Sequence, residues 1–188
     1  MKAQTVTIVG MGRVGVSIAR ALKASPADLT IIGHDRYREL TQKAKDELGA
    51  IDKAEWNLVD AAAAADILVL SVPLSELETT LMVIGDELQP HTLVLDLGVL
   101  KGLGLRWADK HLKRGHYVGA VPVLSTHYLN DGRDEPESAV ADLFRNGVFC
   151  LMPSVKAEPQ AVDTAVNFGR LLGATPYFID PMEYDSLV

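Results

Sequence analysis

Two kinds of hydrophobic spacing alternate along this 188-residue chain. Continuous apolar runs of strand length occupy 5–9, 29–32, 67–72, 93–97, 117–121, 148–152 and 175–179, with a weaker one near 50–54. Such runs suit parallel strands covered on both faces. Between them, 14–24, 36–48, 58–65, about 75–88, 105–113, 139–144 and 159–172 carry apolar or alanine-rich patterns at helical spacing. Ser25-Pro26, Gly49, Pro73, Gln89-Pro90 and Gly173 punctuate the pattern where helices end or strands stop. Ser75-x-x-Glu78 reads as a capping box that opens the fourth helix, and Gly102 and Gly104 read as part of a loop before the fifth. Strands alternating with helices predict right-handed crossovers and an α/β, doubly wound parallel sheet in the order 3-2-1-4-5-6, with extra C-terminal strands. The polar stretch 122–137 is too long for an ordinary connection, so it is either functional or disordered. Asp180-Pro181-x-Glu183 reads as an N-cap with proline at the first helical position. The expected division is a domain over 1–180, with 181–188 starting a further helix.

The first strand runs into Gly10-Met11-Gly12-Arg13-Val14-Gly15, a helix follows, and the second strand ends at Asp35. This is the dinucleotide-binding fingerprint of a Rossmann sheet, in its strand–turn–helix–strand context. Gly10 permits the tight turn, Gly12 lets a pyrophosphate approach the backbone, and Gly15 lets helix and strand pack closely. The helix N-terminus offers unpaired N–H groups to phosphate, and Asp35 can accept from a ribose diol. The alternative is a loop that keeps its glycines for packing alone. Asp35 points to NAD, because a carboxylate repels a 2′-phosphate. Arg36 and Arg38 leave NADP open, although Arg36 would equally stack on an adenine.

Composition narrows the partners rather than the fold. At 48% hydrophobic and 23% charged residues, with a net charge of −7, the chain has a sizeable core and is a poor match for nucleic acid or an anionic membrane surface. No run approaches a membrane span, and the first strand begins too early for a signal peptide, so a cytoplasmic protein acting on a small molecule is expected. The single cysteine, Cys150, sits in an apolar run and reads as a buried hydrophobe.

Several phrases, in order, resemble the nucleotide-binding half of the prephenate and arogenate dehydrogenase family. They are Val9 to Gly15, Gly33-His34-Asp35-Arg36, Ala65 to Pro73, Asp96 to Gly102, Val118 to Pro122, Leu171 to Ala174 and Asp180 to Asp185. The resemblance implies an NAD(P)-dependent oxidoreductase of tyrosine biosynthesis, in which hydride transfer is coupled to decarboxylation. It implies that Ser71, Val72 and Pro73 line the cofactor, with Asp96, Gly98 and Lys101 by the nicotinamide end. Three positions depart from the family pattern. Val99 stands where Asp-x-Gly-Ser-x-Lys has serine, Val121 where Gly-Gly-His-Pro has histidine, and Tyr184 where a His-Asp pair opens the family's helical second domain.

Valine neither accepts a proton nor donates a hydrogen bond, and a missing general base costs a hydride-transfer enzyme about a hundredfold or more. His127, in the long polar stretch, is a candidate substitute or a solvated loop histidine; His116 lies at the far end of its strand. Lys101 is a contact for an anionic substrate or a surface lysine at a helix end. Two functions therefore stand: the dehydrogenase, and a module that binds NAD(H) without chemistry. A homodimer, or a partner chain supplying the helical domain, is a further expectation.

Overall fold

The computed structural model describes residues 4–129 and 131–188. Among the described residues, eight strands form one sheet: β1 (Gln4–Val9), β2 (Leu29–His34), β3 (Lys53–Ala54), β4 (Ile67–Leu70), β5 (Leu93–Asp96), β6 (His116–Pro122), β7 (Val148–Pro153) and β8 (Thr175–Phe178). Their order is β3-β2-β1-β4-β5-β6-β7-β8, the expected doubly wound order with two strands added at its edge. The strands from β3 to β6 are parallel, β7 runs antiparallel to β6, and β8 is parallel to β7. The reversal at β7 departs from the all-parallel expectation. A run such as Phe149-Cys150-Leu151 carries no direction, and direction is set by the connection before it.

Among the described residues, seven α-helices flank the sheet: α1 (Arg13–Ala24), α2 (Arg38–Asp46), α3 (Leu58–Ala63), α4 (Leu74–Ile84), α5 (Lys101–His111), α6 (Pro159–Leu171) and α7 (Pro181–Asp185). Alternate residues of the central strands feed two apolar layers. Ile67 and Val69 of β4 join a layer with Ile18 and Leu22 of α1 and Phe168 of α6. Leu68 and Leu70 join the opposite layer with Leu77 and Leu81 of α4 and Ala108 of α5. Among the described residues no helix is long and apolar enough to cross a membrane.

Three local expectations are corrected. Ser75 is not a cap: α4 starts at Leu74 behind Pro73, and Glu78 turns to Lys110 and His111 of α5, 3.1 Å from each. Gly102 and Gly104 lie inside α5, which starts at Lys101 because the Asp185 carboxylate of α7 accepts from the Lys101 and Gly102 N–H groups at 2.7 and 2.8 Å. A side chain at Gly104 would collide with the Tyr117 hydroxyl and Asp96. The helix expected at 139–144 is replaced by a 3-10 turn at Pro136–Ser138 followed by turns. There the Val140 N–H donates to Ser17 Oγ at 3.1 Å, and the Ala139 carbonyl accepts from Arg20. At α7 the expectation holds, with Asp180 accepting from the Met182 and Glu183 N–H groups. Cys150 is half-buried rather than enclosed.

Candidate functional site

The site is the crevice at the carboxyl ends of β1, β2 and β4, where open α/β sheets bind their ligands. Gly10 leaves β1 at φ +102°, a conformation that strains other residues, and a side chain there would strike the Ser71 carbonyl. Its N–H donates to the His34 carbonyl at 2.8 Å, tying the loop to the end of β2. Gly12 caps α1 in extended backbone, and a Cβ added to it would meet nothing within 4 Å. A hypothetical side chain there points into open space, where a ligand can lie against bare backbone.

Asp35 is held by two backbone donors: Met11 N–H to Oδ2 at 2.8 Å and Tyr37 N–H to Oδ1 at 2.9 Å. Both bonds fix the position of the side chain at the rim of the cleft. Among the expected residues, Gly10, Gly12, Arg13, Val14, Asp35, Arg36, Ser71, Val72 and Pro73 line one cleft of about 440 Å³. That volume lies in the range of small-molecule sites. Met11 is buried and contributes through its N–H, and Gly15 packs against the backbone of Gly10.

The β5–α5 corner differs from expectation. Asp96 and Lys101 are wholly buried, and Gly98 is buried beside them. Lys101 Nζ donates to the Asp96 carbonyl at 2.7 Å and lies 3.4 Å from Asp96 Oδ2. That carboxylate also accepts from the Tyr117 hydroxyl and the Gly98 N–H, both at 2.7 Å. Burial lowers the Lys101 pKa against the opposing pull of Asp96, and burial together with Asp96 raises that of Tyr117 well above its ordinary value. Lys101 is therefore neither a surface lysine nor free to meet a substrate; it joins a buried ion pair that shapes the corner. Val99, by contrast, is 59% exposed at the tip of that corner.

Asp131, Arg133 and Asp134 of the long polar stretch meet Arg13 at the start of α1. Arg13, only 5% exposed, pairs with Asp131 and donates from Nη1 to the Arg133 carbonyl at 2.6 Å. The Arg13 guanidinium holds the Asp131 carboxyl down at about 2. The Arg13 N–H, at the start of α1, donates to the Asp134 carbonyl at 3.3 Å, and Asp134 lines the cleft. His127 is exposed, with its ring edge-on to Tyr128 at 4.8 Å, and is absent from the described cleft lining. The structure adds lining residues that pattern reading missed, among them Tyr37, Glu76, Thr80 and Asp134. Tyr37 directly follows the Asp35-Arg36 pair and was within reach of the motif. The other three arrive from distant segments with no local signal.

Glycine turn, helix N-terminus and rim carboxylate on this sheet define a nucleotide-binding Rossmann domain. Its family is more specific. Residues 18–177 match the model for the prephenate dehydrogenase nucleotide-binding domain, and the chain belongs to that family. It is 28% identical over 190 residues to prephenate dehydrogenase of Bacillus subtilis, spanning 97% of this chain and 48% of that protein. It is 24% identical over 183 residues to cyclohexadienyl dehydrogenase of Zymomonas mobilis, spanning 97% of this chain and 60% of that protein. Among solved structures, A. aeolicus prephenate dehydrogenase in complex with hydroxyphenyl propionate and NAD+ has a TM-score of 0.88 at 23% identity, covering all of this chain and 63% of that one. Synechocystis arogenate dehydrogenase follows with a TM-score of 0.85 at 24% identity, covering 98% and 62%. At such identities these two likenesses speak to the fold. The chain spans about half to three-fifths of the length of these curated relatives.

Proposed function

We propose that the cleft binds NAD and that the chain is the nucleotide-binding part of an NAD-dependent dehydrogenase acting on prephenate or arogenate. The reaction class is hydride transfer to the nicotinamide coupled to loss of carbon dioxide. The observation that carries the cofactor reading is Asp35, fixed by two N–H groups at the cleft rim beside the open space over Gly12. Family membership and the named activities of the relatives support the reaction class. In this reading Gly10, Gly12, Arg13 and Val14 face the pyrophosphate, Asp35 takes the ribose diol, and Arg36 lies against the adenine. Ser71, Val72 and Pro73 form the opposite wall, while Met11, Gly15, Asp96 and Gly98 hold the frame. We place the nucleotide-binding domain at 1–180, with 181–188 as the lead into a substrate-side helical domain.

A second reading is specifically favoured by Val99 and Val121, apolar at the two positions where the family pattern puts serine and histidine. There the chain binds NAD(H) without chemistry. Calorimetry with NAD+ and NADH, followed by absorbance of reduced nicotinamide with prephenate and arogenate, separates the two. Binding with turnover supports the dehydrogenase, and binding without turnover supports the module. Absence of any nucleotide binding refutes both.

A further inference from the structure

An ion pair bridges the cleft, and its members come from opposite walls. Arg36 follows Asp35 at the end of β2, Glu76 lies in the first turn of α4, and both line the cleft. Arg36 Nη1 pairs with Glu76, while Nη2 donates to the Tyr37 hydroxyl at 2.8 Å and the guanidinium lies 4.6 Å from the Tyr37 ring centroid. The one arginine adjoining the ribose carboxylate in sequence is thus committed to partners within the protein. An arginine in that place is the usual means of accepting a ribose 2′-phosphate, by a bidentate charged contact.

We infer that Glu76 is the residue that decides which dinucleotide the cleft accepts. It holds Arg36 in an internal pair and adds a second carboxylate to Asp35, so a ribose carrying a 2′-phosphate meets net negative charge, and both arginines of the described lining, Arg13 and Arg36, are already paired, while Arg38 lies over Trp56 outside that lining. A free 2′,3′-diol meets Asp35 as an acceptor and is indifferent to Glu76. This rests on the reading of the cleft as a dinucleotide site. Nothing in the pair is needed for folding, because partly exposed ion pairs contribute little to stability. Selectivity therefore lies in a residue 41 positions beyond Asp35 and 61 beyond Gly15.

The test is a fluorescence titration of the full chain with NADH and with NADPH, for the unmodified protein, Glu76→Gln, and Glu76→Gln combined with Arg36→Ala. The unmodified protein is expected to prefer NADH. Glu76→Gln should raise the affinity for NADPH relative to that for NADH about tenfold, the scale of one gained charged contact. Removing Arg36 as well should abolish the gain. Equal changes for both nucleotides, or no gain for NADPH, overturn the inference while the NAD site stands. If the unmodified chain binds neither nucleotide, the site reading falls and takes this inference with it.

Discussion

Replacing Lys101 with Met removes one charge from the driest part of the molecule. Lys101 and Asp96 have no exposed surface, so the Asp96 carboxylate would be left with two neutral donors, the Tyr117 hydroxyl and the Gly98 N–H. Breaking a buried ion pair from one side costs about 3–5 kcal/mol. The two surviving donors, each worth about 1.5–3 kcal/mol to a charged acceptor, keep the loss near the lower end, at about 3 kcal/mol. Against a typical total of about 5–15 kcal/mol this is a large share. Urea unfolding at neutral pH, followed by far-ultraviolet circular dichroism, should show the midpoint falling with little change in slope. Adding Asp96→Asn removes the stranded charge, so the double variant should be more stable than the sum of the two single losses by about 1–3 kcal/mol. A loss below about 1 kcal/mol for Lys101→Met would refute the reasoning, since it would mean that the carboxylate is hydrated and the pair is not what holds the β5–α5 corner.

Other consequences are as direct. Gly12→Ala should fold normally, because its added Cβ meets nothing within 4 Å, yet weaken NADH binding; thermal unfolding and fluorescence titration measure the two effects separately. Asp185→Ala should cost about 1 kcal/mol as a lost helix cap, and hydrogen exchange should quicken at Lys101 and Gly102. Tyr117 has its folded pKa raised above the ordinary value of 10.0, so its stabilisation is fully present below pH 10 and lost as pH rises through the folded value. Lys101, with its pKa lowered, contributes in the opposite direction; comparing urea midpoints of the unmodified protein and Tyr117→Phe from pH 9 upward isolates the tyrosine effect.

The part of the site that was legible in the sequence is the part built locally. The glycine turn and Asp35 carry their geometry in their spacing, and the helix start at Asp180-Pro181 carries its own cap. The buried pair was not legible. A lysine beside glycines reads as exposed, and its surroundings depend on Tyr117 arriving from β6 with a hydroxyl that satisfies the same carboxylate. Gly102 and Gly104 read as loop residues because glycine weakens helices. They sit in α5 because a cap is supplied from Asp185, more than eighty residues away, and because Gly104 faces a wall with no room for a Cβ. Glu76 and Asp134 reach the cleft by the path of the chain, which no window of local sequence contains.

The Arg13 N–H offers one hydrogen and in this structure gives it to the carbonyl of Asp134. A phosphate oxygen seeking that same hydrogen would have to displace the chain's own backbone. The affinity measured for a dinucleotide using that donor is then the affinity of the open cleft reduced by the fraction of molecules in which the segment has moved aside. Two related chains with identical cleft residues can therefore differ in cofactor affinity solely through how firmly Arg13 grips Asp131. A comparison of their binding constants would measure that grip as much as the site itself.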